Sequence, residues 1–360
     1  MLNLVNMNVN FKLMSAGALF FLGGSMLFAQ KKDTATKTKD IEEVVVVGYQ
    51  TKSKKELTTS VVKVGAKEMN NVPITSFDQI LAGKAAGVDL QIGSGQPGAS
   101  ASVVIRGAGS INGGTTPLYI VDGVPVSAGA FATINPNDIE DVSILKDASA
   151  KAIYGSQAGA GVVLVTTKIG RKGAMRIEYT GSTGVSMRPQ AKFGMMTTSQ
   201  ITGMQRDLGL ISEATYNSRN LINTDWDKVF LRTGFTISND LSVSGGGGNT
   251  TYKISLGHLD QEGIALNSGL QRFTGNINLR SGNGKNFRVG FNGIFGLAKR
   301  DMIFSEAGIA LANPFAAAYL AKPYESLYKA DGSIATGAGL FGANAYELAT
   351  MSSRRRQEGK

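Results

Sequence analysis

The chain of 360 residues has no cysteine, one histidine and one tryptophan. Without cysteine there is no disulfide, no thiolate metal site, no cysteine nucleophile and no acylated lipoprotein anchor. The sole histidine, His258, alternates with Tyr252, Ile254 and Leu256 on an apolar strand face, where its ring suits a membrane interface better than catalysis. A serine triad would need this residue, and a histidine zinc site would need more than one. Asp225 and Asp227 flank Trp226 without the marks of a cleft, and Glu42 and Glu43 fall in a polar tail. The chain therefore reads as a non-enzyme with no cofactor and no metal. Long apolar runs are scarce too. Only residues 11–28 hold one, with Lys12 near its start and Leu27-Phe28-Ala29 ahead of a cut before Gln30. Ser15, Gly17 and Ser25 interrupt it, so it reads as a signal peptide over 1–29 rather than a membrane anchor. No second apolar helix follows, and any membrane span must be made of strands.

The net charge is +10, but the basic residues are scattered in short groups such as Lys52, Lys54 and Lys55 or Arg354, Arg355 and Arg356. In an exported chain this is a solvated or lumenal surface, not a nucleic-acid site.

After the leader, residues 30–55 form a lysine- and threonine-rich tail that carries IEEVVVVGYQ. Val44, Val45, Val46 and Val47 are β-branched and hold an extended backbone, a strand without a neighbour. Such a segment adds itself to the edge of another protein's sheet or opens the next domain. Its place after a flexible tail favours the first.

From 56 to 172 the pattern is mixed α/β. Residues 76–79 (SFDQ) make a capping box that starts a helix, Gly83 or Gly87 stops it, and VDLQI alternates as a strand. SVVIRG, with Arg106 and Gly107, is a further strand, and Asp122-Gly123 between apolar runs reads as a tight hairpin turn. Asp147 is placed to cap a helix running through Tyr154, and Gly155 to end it. Gly93, Gly95 and Gly98 satisfy a dinucleotide fingerprint, but Pro97 and a strand follow instead of the helix that phosphate binding needs.

From 173 to 360 the period becomes two. Met175, Ile177, Tyr179, Val185 and Met187 share one face; Arg176, Glu178, Thr180, Ser182 and Ser186 share the other. The alternation recurs around Phe235–Val243, Tyr252–Leu256, Phe273–Leu279 and Phe287–Leu297. A soluble sandwich alternates as well, but arginine, lysine and asparagine recur on the polar face as in an apolar-out, polar-in transmembrane β-barrel. Residues 198–223 show weak helical spacing within a loop, and 304–360 reads as a long loop with another strand.

The segments IEDVSILKDASAKAIYGSQAGAGVVLVTTK (139–168), LYIVDGVP (118–125), WDKVFLRTG, LSVSGG and LDQEGI together resemble the SusC/RagA family of TonB-linked outer-membrane proteins, over about 41–280. The resemblance implies an α+β plug domain at 56–172, followed by the first antiparallel strands of a barrel of about 22 strands, so the chain reads as the N-terminal part of a longer protein. It marks Val44 to Val47, Gly48 and Tyr49 as a TonB box within the tail. Arg106, Gly107, Asp122, Gly123, Asp147, Tyr154 and Gly155 become plug-motif positions; the segments of Arg106 and Asp122 belong to a plug whose loops face the substrate side or touch the inner wall, with a strand-end arginine and a turn aspartate as the alternative reading. It further implies location in the cell outer membrane of a Gram-negative, Bacteroidetes-like bacterium, in contact with outer-membrane lipid. The expected partners are TonB with ExbB/ExbD and a SusD-like lipoprotein, and the expected cargo is an oligosaccharide or a peptide. A passive porin or a barrel-type adhesin is the alternative, though neither needs a plug or a valine box.

Overall fold

The computed structural model describes residues 44–47, 50–53, 61–65, most of 83–107, 116–146, 152–189, 194–282, 286–303, 313–335 and 354–359. The leader, most of the tail, Gly48, Tyr49, the 76–79 capping box, Arg106 and Asp147 lie outside the described residues. All described elements belong to one unit, Val44–Lys360.

The valine run forms β1 (Val44–Val47), and it is not a strand without a neighbour. It pairs antiparallel with β2 (Gln50–Ser53) in register Val47↔Gln50 and Val46↔Thr51, a two-stranded ribbon of its own. Two residues between the strands are enough to turn the chain back.

The plug is built from short strands: β3 (Val61–Gly65), β4 (Val88–Gln91), β5 (Ser102–Ile105), β6 (Leu118–Val121), β7 (Val124–Val126), β8 (Ile139–Leu145) and β9 (Val162–Thr167). Five of them form one sheet in the order β3-β8-β9-β6-β7, and β4 pairs with β5. LYIV and VVLVTT are near-continuous apolar runs because both faces of this sheet are covered. On one face Tyr119, Val121, Val163 and Val165 join Val103, Ile105 and Phe131, with the Tyr119 and Phe131 rings stacked at 4.3 Å. On the other, Ile120, Leu145, Val162 and Leu164 join Ala158, with Tyr154 packed against them. Each such side chain, fully buried, contributes about 1.5–3 kcal/mol. Burial also pushes the Asp141 carboxyl on β8 up, an effect that Lys63, 3.7 Å away, partly offsets.

The hairpin expected at Asp122-Gly123 is present. Val121 pairs with Val124 across it, with φ +48° at Asp122 and +88° at Gly123, the mirror-image turn that suits the twist of the strands. Gly123→Val forces a β-branched residue into that region and should cost about 1–3 kcal/mol. Calorimetry of the purified protein should show the transition of this domain move to lower temperature, and an unmoved transition would mean that the turn bears no strain. Past 147, helical residues run over Ala152–Ala158, broken at Gly155 by φ 67° and ψ −154°.

The remaining strands are longer: β10 (Gly173–Ser186), β11 (Gly234–Gly247), β12 (Thr250–Glu262), β13 (Gly269–Gly282), β14 (Arg288–Met302) and β15 (Arg354–Gly359). They form an antiparallel meander in sequence order. Its apolar rows are the exposed ones: Ile177 (64%), Phe235 (55%), Leu256 (55%), Phe273 (52%) and Phe291 (57%). Its polar rows are buried on β12 and β13, where Lys253, Ser255, Arg272, Thr274, Asn276 and Asn278 lie. This inversion of the soluble pattern belongs to a wall whose outer solvent is lipid. His258 lies on the outer face, its ring 4.4 Å from that of Phe273. Among the described residues no helix is long and apolar enough to cross a membrane.

The two ends of the wall differ. β11 returns to β12 through Gly248 and Asn249 alone, whereas 187–233 and 303–353 connect strands at the opposite end. Short turns face the periplasm and long loops the exterior in such barrels. The long connections hold helices Thr198–Asp207, Glu213–Arg219, Trp226–Phe230 and Pro314–Leu320. Trp226 and Phe230 pack on Ala317, Ala318 and Ala321, and the Trp226 indole N–H donates to the Lys322 carbonyl at 2.8 Å. Asp225 caps its helix and Asp227 pairs with Arg188, so both carboxylates are structural.

Candidate functional site

The plug lies against the polar face of the wall, and the site is that interface. Its centre is the turn NPND, 135–138. Asn135 caps a single 3-10 turn, accepting from the Asn137 amide at 2.9 Å, and Pro136 sits at the first turn position, where its missing N–H costs nothing. Asp138 is thereby presented to the wall at 4% exposure. Lys253 donates to its Oδ1 at 2.8 Å and Ser255 at 2.5 Å, so two neighbours on the inner face of β12 grip one plug carboxylate.

The reverse arrangement lies beside it. Asp240 of β11 accepts from the side-chain amides of two plug residues, Asn135 and Asn137, the latter at 2.8 Å, and from Ser238 at 3.1 Å. A third contact is made by the hairpin. Asp122 accepts from the Thr167 amide at 2.9 Å and its hydroxyl at 2.6 Å, which ties the turn to β9, and also from Asn292 of β14. Near the outer rim Gln96 bonds both ways with the backbone of Ile303, at 2.7 and 3.3 Å. Gly296 makes close approach possible, since a Cβ there would come within 2.6 Å of the Thr133 hydroxyl.

The plug does not fill the whole interface. A cavity of about 570 Å³ lies beside 135–138 along β10, β11 and β12, lined by Glu178, Thr180, Ser182, Ser238, Asp240 and Ser242 among others. Among the described residues no group of three or more histidines and carboxylates is placed to hold a metal.

Of the positions expected from sequence, Asp122 lies in this interface. Gly123 shapes its turn, Tyr154 is packed against the plug core, and Gly155 breaks a helical segment. Gly107 is an exposed bend with φ +83°. Val44 to Val47 belong to the β1–β2 ribbon. Arg106, Asp147, Gly48 and Tyr49 are outside the described residues. The residues that hold the plug to the wall most directly, Asn135, Asn137, Asp138, Asp240, Lys253 and Ser255, are not among the expected site. NPND signals only a turn, and a lysine on a polar strand face signals only a polar face.

The TonB-dependent Receptor Plug Domain family model matches residues 53–162. Over 250 residues the chain is 35% identical to the TonB-dependent receptor SusC of Bacteroides thetaiotaomicron, covering 67% of this chain and 25% of that one. Over 326 residues it is 36% identical to the TonB-dependent receptor P3 of Formosa agariphila, covering 87% and 31%. Among solved structures, the RagAB peptide importer in its open-open state is 31% identical with a TM-score of 0.69, over 82% of this chain and 37% of that one. The RagAB peptide transporter is 30% identical with a TM-score of 0.70, over 78% and 36%. The chain thus spans about a quarter to a third of the length of these curated relatives. A plug domain seated on the polar face of outward-apolar strands, with relatives that match across both parts, makes this chain a member of the SusC/RagA-type TonB-dependent receptors, carrying the plug and the first strands of the barrel.

Proposed function

We propose that the receptor imports a nutrient actively across the cell outer membrane of a Gram-negative, Bacteroidetes-like bacterium, and that this chain supplies its gate. In this reading 1–29 is the leader and 30–55 carries the segment Val44 to Tyr49 that TonB, with ExbB/ExbD, pulls from the periplasm. The plug spans 56–172, and 173–360 belongs to the wall that contacts outer-membrane lipid. Arg106, Gly107, Asp122, Gly123, Asp147, Tyr154 and Gly155 shape the plug. A SusD-like surface lipoprotein is the partner on the long-loop side, and the cargo is an oligosaccharide or a peptide, the latter being what the RagAB importer carries by its description.

One observation carries the proposal: a folded α+β domain is held by a buried ion pair, Asp138–Lys253, against the inner face of strands whose outer face is apolar. A passive pore gains nothing from such an obstruction, and an adhesin needs no gate. The test is accumulation of labelled oligosaccharide or peptide by cells that produce the complete receptor, with and without TonB. Uptake should fall at least tenfold without TonB and with deletion of the adjacent lipoprotein gene. Equal entry in cells lacking TonB would identify a passive pore.

A further inference from the structure

The plug grips the wall unevenly. Against β12 it makes the buried Asp138–Lys253–Ser255 cluster, and the inner-face side chains Asn276 and Asn278 of β13 are 3% and 2% exposed. Against β11 the contact is of another kind: the Asn135 and Asn137 amides reach Asp240 along the border of the cavity, the second of these bonds at the exposed surface. The two contacts differ in what it takes to break them. Separating a buried ion pair leaves a charge in a poor solvent, whereas an exposed amide that leaves a carboxylate exchanges one hydrogen bond for another with water.

The cavity lies on the weak side. At about 570 Å³ it is within the range of pockets that take small molecules, about 300–1,000 Å³. Its wall offers the hydroxyls of Thr180, Ser182, Ser238, Ser242 and Ser255 in a band across β10, β11 and β12. Hydroxyls both donate and accept, so a polar solute can trade bonds along the band, and the Glu178 carboxylate and Lys168 ammonium border the same space.

We infer that cargo passes the plug on the β10–β11 side, through this hydroxyl-lined cavity. The Asn135/Asn137–Asp240 contact is its latch, and the buried Asp138–Lys253–Ser255 contact is the hinge on which the plug stays anchored. The ligand class is a polar solute rich in hydroxyl or amide groups. The inference rests on the import reading and adds the side of the wall along which transit occurs.

This chain has no cysteine, and the test uses a complete receptor in which any cysteine outside it has been replaced by serine. Single variants of the complete receptor, Thr180→Cys, Ser242→Cys, Asn276→Cys and Asn278→Cys, are exposed on cells to a maleimide too large for general porins. Surface binding of cargo checks that each variant is folded. Thr180→Cys and Ser242→Cys should label at least tenfold faster when cargo and TonB are both present, and labelling should block further import. Asn276→Cys and Asn278→Cys should label no faster than without cargo. Faster labelling at the β13 positions alone would place transit along β13 instead of the cavity. Equal labelling at all four would mean that the plug leaves the wall entirely, and no labelling during active import would remove the cavity from the path. Each of these overturns the inference while leaving import intact. Failure of the import reading shows separately, as uptake by the parent receptor that does not depend on TonB.

Discussion

Asp138→Asn should weaken the seating of the plug more than any exposed substitution in the chain. The change leaves the Lys253 ammonium, 8% exposed, without its carboxylate partner, and leaves the Ser255 hydroxyl a poorer acceptor. Removing one partner of a buried pair costs about 3–5 kcal/mol, because the remaining charge has lost both water and its counter-ion. The effect should appear as a lower-temperature plug transition in the purified receptor and as faster proteolysis within 56–172. Lys253→Met in the Asp138→Asn background removes the stranded charge and should recover most of the loss. The double variant is the decisive arm. If the two changes simply add, the pair is not coupled and the plug is held elsewhere; recovery assigns the seating to this contact.

That contact shows where the sequence stops being informative. The wall was legible because each strand states its own environment: apolar residues recur at every second position within a strand, as in Met175, Ile177 and Tyr179, and period two needs no knowledge of the partner strand. The Asp122-Gly123 turn was legible for a similar reason, since positive φ at two successive positions selects a small set of residues. The helices Thr198–Asp207 and Glu213–Arg219 also carry local signals, including a capping box formed by Thr197 and Gln200. Asp138 and Lys253 are 115 positions apart, and neither carries a mark of the other. The pairing of β1 with β2 was hidden differently. Gln50-Thr51-Lys52-Ser53 has no apolar row, so nothing in its composition announces a strand; the neighbouring valines impose one by pairing with it.

The ribbon sharpens the expectation for energy coupling. Because Val47 and Gln50 close a two-residue loop, they exchange hydrogen bonds with each other, and so do Val45 and Lys52 one step further on. The backbone N–H groups of Val46 and Val44 therefore point away from β2, toward the edge that a strand from TonB would use. Val46→Pro deletes an outward donor while sparing the ladder within the ribbon. In the complete receptor it should lower uptake to the level of cells without TonB, with binding at the surface unchanged. Val46→Ile keeps the amide and should transport at the parental rate. Thr51→Pro is the matched control: it occupies the same kind of position on β2, but its lost donor faces the other edge, so import should survive. Loss of import in Thr51→Pro with retention in Val46→Pro would move the coupling edge to β2. Import at the parental rate in both would make the ribbon a spacer and require TonB to grip the receptor at another segment. The expected split requires the outer edge of the valine strand to be the handle, since both prolines are equally foreign to a β-ribbon and differ only in the direction of the donor they remove.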